Sequence, residues 1–115
     1  MPAKLDFRPH RTGTTMLAQK FRIEELTDGA LNLTGCLIKM QLKTSLTGPV
    51  EHQWTSLPSG GLTITNAVNG QFEINKQIVS IPAFDYIYGI QIDFPNGDTD
   101  EFVSGLFPIT EDNVD

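Results

Sequence analysis

Cys36-Leu37-Ile38-Lys39-Met40-Gln41-Leu42-Lys43 places an apolar side chain at every second position. A second stretch, Tyr88-Gly89-Ile90-Gln91-Ile92-Asp93-Phe94, repeats this alternation. Because successive side chains of a β-strand point to opposite faces, a period of two predicts strands with one buried face. These two stretches therefore indicate an all-β fold.

Further segments of strand character run along the chain and are separated by turn residues. The predicted strands are 4–8, 15–23, 36–44, 50–56, 62–65, 71–75, 86–94 and 99–108, with a less regular piece at 78–81. Turn signals such as Asn69-Gly70 and Pro58-Ser59-Gly60-Gly61 lie between them. Strands at this spacing predict a sandwich or a barrel.

The hairpin around Pro95-Asn96-Gly97 can be predicted in more detail, because its loop length decides which side chains share a face. A two-residue turn at Asn96-Gly97 would place Ile90 and Ile92 on the same face as Thr99 and Glu101. A three-residue loop with Gly97 in a left-handed conformation instead pairs Phe94 with Asp98 and Ile90 with Phe102. We expect the three-residue loop.

Length and composition fit one domain with its own core. The 115 residues are 39% hydrophobic and 19% charged, and the net charge of −6 argues against binding to nucleic acid. No apolar run approaches the roughly 20 residues that cross a bilayer, so we expect no membrane insertion. The single cysteine, Cys36, excludes an intrachain disulfide, and its place on an apolar strand face is typical of a core thiol.

Charge is distributed unevenly along the chain. Seven of the eight Lys and Arg residues precede position 44, whereas no Lys or Arg follows Lys76. If the first and last strands are neighbours, these charges pair within the molecule. The alternative is a head-to-tail interface between subunits.

No group of residues fits a catalytic or cofactor-binding motif, so we predict that the protein is not an enzyme and binds no cofactor. The histidines, His10 and His52, are isolated from other residues at metal-ligand spacing. No serine lies in a nucleophile motif. The acidic residues Asp98, Asp100 and Glu101 at the predicted hairpin tip do not match a calcium loop and are typical of a solvated tip.

Aromatic residues are the remaining candidates for binding. Trp54 is either the core tryptophan of a sandwich or an exposed platform for a sugar or a partner. Tyr86, at the start of a long predicted strand, is the candidate for a tyrosine corner, in which the hydroxyl bonds back to the preceding backbone. A carbohydrate-binding or adhesin module is therefore the alternative to an assembly role, and exposure of Trp54 distinguishes the two.

The order of several short segments resembles the immunoglobulin-like domains of tailed-phage and prophage structural proteins, of the type at the N-terminus of the baseplate upper protein. The segments are Arg11-Thr12-Gly13-Thr14-Thr15, Asp28-Gly29, Leu31-Asn32-Leu33-Thr34-Gly35, Ile38-Lys39-Met40-Gln41-Leu42-Lys43, Gly61-Leu62-Thr63-Ile64, Asn69-Gly70-Gln71-Phe72, Tyr86-Ile87-Tyr88, Phe94-Pro95-Asn96-Gly97 and Gly105-Leu106-Phe107-Pro108-Ile109. The family closes with a valine-threonine pair, whereas this chain continues as Thr110-Glu111-Asp112-Asn113-Val114-Asp115.

The resemblance implies an immunoglobulin-like antiparallel sandwich of about seven to nine strands over 14–110. It makes residues 1–13 an N-terminal arm or edge strand and 111–115 an acidic tail. It further implies a non-enzymatic virion component of a tail, baseplate or fibre, made in the bacterial cytoplasm, which contacts other virion proteins and itself. Arg8, His10 and Arg11 are the candidate interface residues in the N-terminal segment.

Overall fold

The computed structural model describes residues 3–25 and 29–111, and these residues form strands, turns and loops without a helix. The prediction of an all-β fold is confirmed. The strands are β1 (Ala3–Lys4), β2 (His10–Arg11), β3 (Thr14–Met16), β4 (Gln19–Arg22), β5 (Glu24–Glu25), β6 (Gly29–Ala30), β7 (Leu37–Lys43), β8 (Val50–Thr55), β9 (Leu62–Asn66), β10 (Gln71–Ile74), β11 (Gln77–Val79), β12 (Phe84–Asp93) and β13 (Thr99–Thr110).

The largest sheet has the order β1-β13-β12-β7-β8, and β2 also pairs with β13. The long strands β12 and β13 form an antiparallel hairpin, and β12 pairs on its other side with β7. The two stretches with the clearest alternation are therefore neighbours at the centre of this sheet. Ile38, Met40, Leu42, Ile90 and Ile92 are all fully buried, as the period of two predicts.

A second, smaller sheet has the order β4-β10-β9, and β3 pairs with β11 beside it. Arg22 lies opposite Gln71, and Thr14 lies opposite Val79. The two pairs are eight residues apart on both strands. The two ladders consequently share one register, and 14–22 and 71–79 form a single antiparallel pair. The predicted strand 15–23 is interrupted where Leu17 and Ala18 leave the ladder.

One hydrophobic core joins both sheets, an arrangement consistent with a β-sandwich. From the larger sheet it takes side chains such as Tyr88 and Phe107, and from the smaller sheet Phe72, Ile74 and Leu62. No polar or charged residue is buried in the described part of the chain. Burial of apolar area is thus the main favourable contribution to folding.

The N-terminal segment runs parallel to the last strand. Ala3 and Lys4 face Val103 and Ser104, and His10 and Arg11 face Ile109 and Thr110. Between β1 and β2, the backbone N–H groups of Leu5 and Phe7 donate to the carbonyls of Ser104 and Leu106 at 2.8 and 2.9 Å. Residues 3–11 therefore form an interrupted edge strand.

The β12–β13 hairpin has the predicted three-residue loop. The Phe94 N–H donates to the Asp98 carbonyl at 2.7 Å, and Gly97 has a φ of 96°. The predicted pairing of Ile90 with Phe102 is wrong, because Ile90 faces Val103 and the register shifts between Ile90 and Gln91. Phe102 is the extra residue of this bulge, and its ring lies 6.3 Å from that of Phe94.

The other predicted strands lie within a few residues of the observed ones. Two elements were not predicted: the two-residue strand β2, and the short hairpin of β5 and β6, in which Glu24 faces Ala30. The segment Asp28-Gly29 of the resemblance falls partly outside the described residues. Of the predicted acidic tail at 111–115, Glu111 is described and exposed, and the rest also lies outside.

Candidate interaction site

The candidate site is a cleft between the N-terminal segment and the strands β3 and β4. It is lined by residues of 5–10 and 15–21 together with Phe107, and its volume is about 440 Å³. We call it the N-terminal groove. It opens between the two main sheets, along the edge of β4 that is opposite its partner β10.

Aromatic side chains form the floor of the N-terminal groove. The ring of Phe7 lies 4.7 Å from Phe107 and 6.1 Å from Phe21, measured between centroids. Phe21 in turn stacks on Phe72, with centroids 5.1 Å apart. Since Phe7 and Phe21 are only partly buried while Phe107 is 1% exposed, the apolar floor continues into the core.

A buried tyrosine anchors the N-terminal segment next to this floor. The Tyr88 hydroxyl donates a 2.5 Å hydrogen bond to the Leu5 carbonyl, and Tyr88 is 2% exposed. Burial raises the pKa of Tyr88 strongly, and the nearby Asp6 charge raises it further. Gly105 faces Tyr88 on β13, and a Cβ there would overlap the Leu5 carbonyl. A glycine at this position therefore allows the close approach of the two backbones.

Basic side chains lie on the rim of the N-terminal groove. Arg8 and Lys20 line it and are exposed. Asp6 also lines it, and its carboxylate accepts a hydrogen bond from the Leu106 N–H at 3.0 Å. Two cationic groups and one carboxylate give this rim a net positive charge, although the chain as a whole carries −6.

The structure brings two of the three predicted interface residues to this groove. Arg8 and His10 line it, and the His10 Nε2 lies 3.1 Å from both the carbonyl and the hydroxyl oxygen of Thr14. Arg11 is exposed opposite Thr110 and is not part of the lining. Phe7, Phe21 and Lys20 were not predicted as site residues. The alternation of Leu5 with Phe7 was a signal of an apolar face, but no local pattern showed what it packs against.

Trp54 is buried, which contradicts the exposed platform and agrees with the core tryptophan among the two predicted alternatives. It is 4% exposed, and its ring lies 5.7 Å from Phe107 and 4.9 Å from the edge-on ring of His52. Trp54 points inward from β8 and is a core tryptophan. Burial of the neighbouring imidazole lowers the pKa of His52.

Tyr86 makes the hydrogen bond that a tyrosine corner requires. Its hydroxyl donates to the carbonyl of Pro82, four residues earlier, at 2.7 Å. The side chain is 3% exposed, and burial, together with the charge of Glu51, raises its pKa. Tyr86 and Tyr88 therefore both use buried hydroxyls to hold backbone, and neither offers a ring face to solvent.

The half-buried Cys36 immediately precedes β7. Burial raises the pKa of its thiol, which keeps the protonated and unreactive form at neutral pH. Cys36 was predicted to be a core thiol, and it packs against the core without being fully buried.

An acidic tip lies at the far end of the β12–β13 hairpin. Asp98, Asp100 and Glu101 are exposed there. The neighbouring Asp93 is engaged differently, since it accepts hydrogen bonds from Gln91 and Thr99 and pairs with Lys39 at 2.9 Å. These contacts, with Gln91 first, lower the pKa of Asp93.

The first and last strands are neighbours, which was the condition for pairing opposite charges within the molecule. Nevertheless, the ion pairs in the described part of the chain are Lys39–Asp93 and Arg22–Glu24, at 2.9 and 3.3 Å. Among the described carboxylates, none lies within ion-pair distance of Arg8 or Lys20. The first and last strands are thus adjacent, but no described carboxylate forms an ion pair with the basic side chains of the rim.

Within residues 3–25 and 29–111, no three His, Cys, Asp or Glu side chains are placed to hold a metal ion. The same residues contain no helix that could cross a membrane. No family model, curated protein or solved structure matches this chain.

Proposed function

We propose that this chain is a non-enzymatic structural module of a tailed-phage or prophage virion, in a tail, baseplate or fibre, and that it is made in the bacterial cytoplasm. The proposal includes an immunoglobulin-like topology for the sandwich. It rests on the resemblance of the sequence segments together with the strand order of the two main sheets.

The strand order is the observation that carries the proposal. In immunoglobulin-like sandwiches, the last two strands and the third form one sheet, and the second, fifth and fourth form the other. Here β13, β12, β7 and β8 are consecutive in one sheet, and β4, β10 and β9 are consecutive in the other. If β3 with β4 and β10 with β11 are counted as single strands, β5 and β6 are left aside, and β8 is taken as the additional strand of the variable-type sandwich, this order is consistent with the immunoglobulin-like one. The first strand differs from the constant type, because it pairs with the last strand.

The Tyr86 hydrogen bond supports the same topology. In the sandwich family the corner tyrosine lies near the start of the penultimate strand and bonds to the backbone a few residues earlier. Tyr86 is the third residue of β12, and Pro82 lies in the connection from β11.

The surface supports docking rather than catalysis as the role. The N-terminal groove combines an aromatic floor, a basic rim and an unpaired strand edge, which are features of a surface that receives an extended segment of a protein. The carbohydrate-binding alternative depended on an exposed Trp54, and the burial of that residue argues against it.

The test is to express the tagged chain in the bacterium that carries its gene, induce particle formation and separate particles on a density gradient. We expect the chain to sediment with intact particles at a fixed copy number, and immunogold labelling to place it at one substructure. Recovery of the chain solely from the soluble fraction, while tail proteins of the same gene cluster sediment with the particles, would contradict the proposal.

A further inference from the structure

The N-terminal groove and the acidic tip lie far apart on one molecule. Phe107, on the groove floor, is eight residues from Thr99 along the continuous strand β13. At about 3.3 Å per residue, the two are roughly 25 Å apart. The pairing of β12 with both β13 and β7 holds the tip in the sheet, so the tip cannot fold back over that distance. Any contact between tip and groove therefore joins two molecules.

The charges of the two regions are complementary. The groove carries the exposed cations Arg8 and Lys20 beside the carboxylate of Asp6. The tip carries the exposed carboxylates of Asp98 and Asp100, and that of Glu101 lies behind them over Gly89. The chain carries a net charge of −6, so a second copy as a whole repels this tip, whereas the cations of the groove attract it.

The shape of the tip also suits the groove. The turn is closed by hydrogen bonds from the Phe94 N–H to the Asp98 carbonyl and from the Gly97 N–H to the Phe94 carbonyl, at 2.7 and 3.0 Å. The turn is therefore preorganised, and little conformational entropy is lost when it docks. Pro95 is exposed at its end, with one side of its ring against Gly35.

We infer that the acidic hairpin tip of one copy docks in the N-terminal groove of a second copy, head to tail. This inference rests on the proposed assembly role and names self-association as a part of it. The two surfaces are different, so the interface is heterologous, and the rotation between copies decides whether a ring closes or a filament grows.

The experiment uses two double variants of the full chain, each with one surface altered. Arg8→Glu with Lys20→Glu reverses the groove, and Asp100→Lys with Glu101→Lys reverses the tip. Matched controls make the same changes of charge elsewhere: Lys43→Glu with Lys76→Glu, and Glu51→Lys with Asp85→Lys. Molar mass is measured by light scattering after size-exclusion chromatography, over a concentration series.

We expect the wild type and both controls to increase in mass with concentration, and the mass of the wild type to fall with added salt. Each surface variant alone should associate at least tenfold more weakly. An equimolar mixture of the two should associate again, because the intact tip fits the intact groove and the reversed tip is opposite in charge to the reversed groove. Amide NMR shifts of the tip-reversed variant on addition of the groove-reversed variant should map to 5–10 and 19–22.

A wild type that stays monomeric, surface variants that associate like their controls, or a mixture that stays monomeric would each overturn the inference. Circular dichroism on every variant separates loss of the interface from loss of the fold. Failure of this test does not contradict the proposed virion role, because a monomer can dock on other virion proteins. That role is tested separately by the particle gradient. The two proposals can thus fail separately.

Discussion

The two flanks of the molecule protect their strand edges in different ways. On one flank, β4 keeps a regular register, whereas the segment 3–11 has one residue more than β13 between Lys4 and His10. The edge of this flank carries Lys4, Arg8, Pro9, Lys20 and Arg22. On the other flank, β8 and β9 each contain a bulge, because Glu51 and Thr65 are extra residues in their ladders. Few charges lie on this second flank.

Both devices prevent two copies from pairing edge to edge, but their consequences for recognition differ. A bulge interrupts the row of backbone donors and acceptors for every incoming strand. Positive charge repels a second copy of the same edge and attracts an acidic segment. The N-terminal flank therefore resists edge-to-edge pairing and also attracts acidic segments, whereas the β8–β9 flank only resists edge-to-edge pairing.

The largest expected loss of stability comes from Gly105→Ala, which disrupts the packing of the N-terminal segment against β13. The new Cβ overlaps the Leu5 carbonyl, so the N-terminal segment must leave β13 or both backbones must shift. We expect a loss of about 3 kcal/mol in the free energy of unfolding, measured by urea denaturation. Ser104→Ala, one residue earlier, is the control and should stay within about 0.5 kcal/mol of the wild type. Equal stability of the two variants would contradict the close approach.

The corresponding change on the other flank is Gly61→Ala. Gly61 has a φ of 96°, and a Cβ there would lie 2.5 Å from Cδ1 of Trp54. We expect a loss of about 2.5 kcal/mol, from backbone strain and displacement of the indole, with a red shift of tryptophan fluorescence.

Gly97→Ala is the matched control for this prediction. Gly97 has the same φ of 96°, but nothing lies within 4 Å of a Cβ at that position. It should lose about 1 kcal/mol from strain alone, with unchanged fluorescence. If both variants lose the same stability, the contact of Gly61 with Trp54 is not a determinant of this flank.

The sequence predicted the central strands and the hairpin loop well because both depend on neighbours along the chain. The alternation over 36–43 follows from burial of one face of the strand. The loop at Pro95 follows from turn geometry and from which side chains share a face of the hairpin. The bulge at Phe102 was missed because it depends on packing, where the ring lies against Phe94 while Val103 faces the core.

The candidate site was predicted only in part, because it depends on contacts between distant residues. Parallel pairing of the first strand with the last has no turn that would reveal it. Leu5 contacts Tyr88 and Gly105, which follow it by at least 83 positions in the sequence. Arg8 and His10 were predicted as interface residues because the resemblance makes residues 1–13 an arm, whereas the aromatic floor beneath them required the fold.

A smaller effect is expected from Tyr88→Phe and Tyr86→Phe, which each remove one buried hydroxyl. Each should cost about 1 kcal/mol in the free energy of unfolding. The two differ in place, since Tyr88 holds the N-terminal segment at Leu5 and Tyr86 holds the local backbone at Pro82. Hydrogen exchange of the Leu5 and Phe7 amides should therefore accelerate in Tyr88→Phe and not in Tyr86→Phe. Equal exchange in both variants would mean that the hydroxyl of Tyr88 does not anchor the flank.

The smallest effect is the pH dependence that His52 gives to the β8–β9 flank. Burial lowers the pKa of His52 in the folded state, so the unfolded chain binds the proton more tightly. Stability is then retained above the unfolded-state pKa of about 6.5 and falls as the pH drops below it. Because the ring is only half-buried, this loss should stay under about 0.5 kcal/mol.

The urea midpoint is measured between pH 7.5 and 5.5 for the wild type and His52→Gln, in which all carboxylates are unchanged. The wild type should lose more stability than the variant over this interval. An equal loss would show that Trp54 does not shield the imidazole from water, and that this flank is more open than its buried tryptophan indicates.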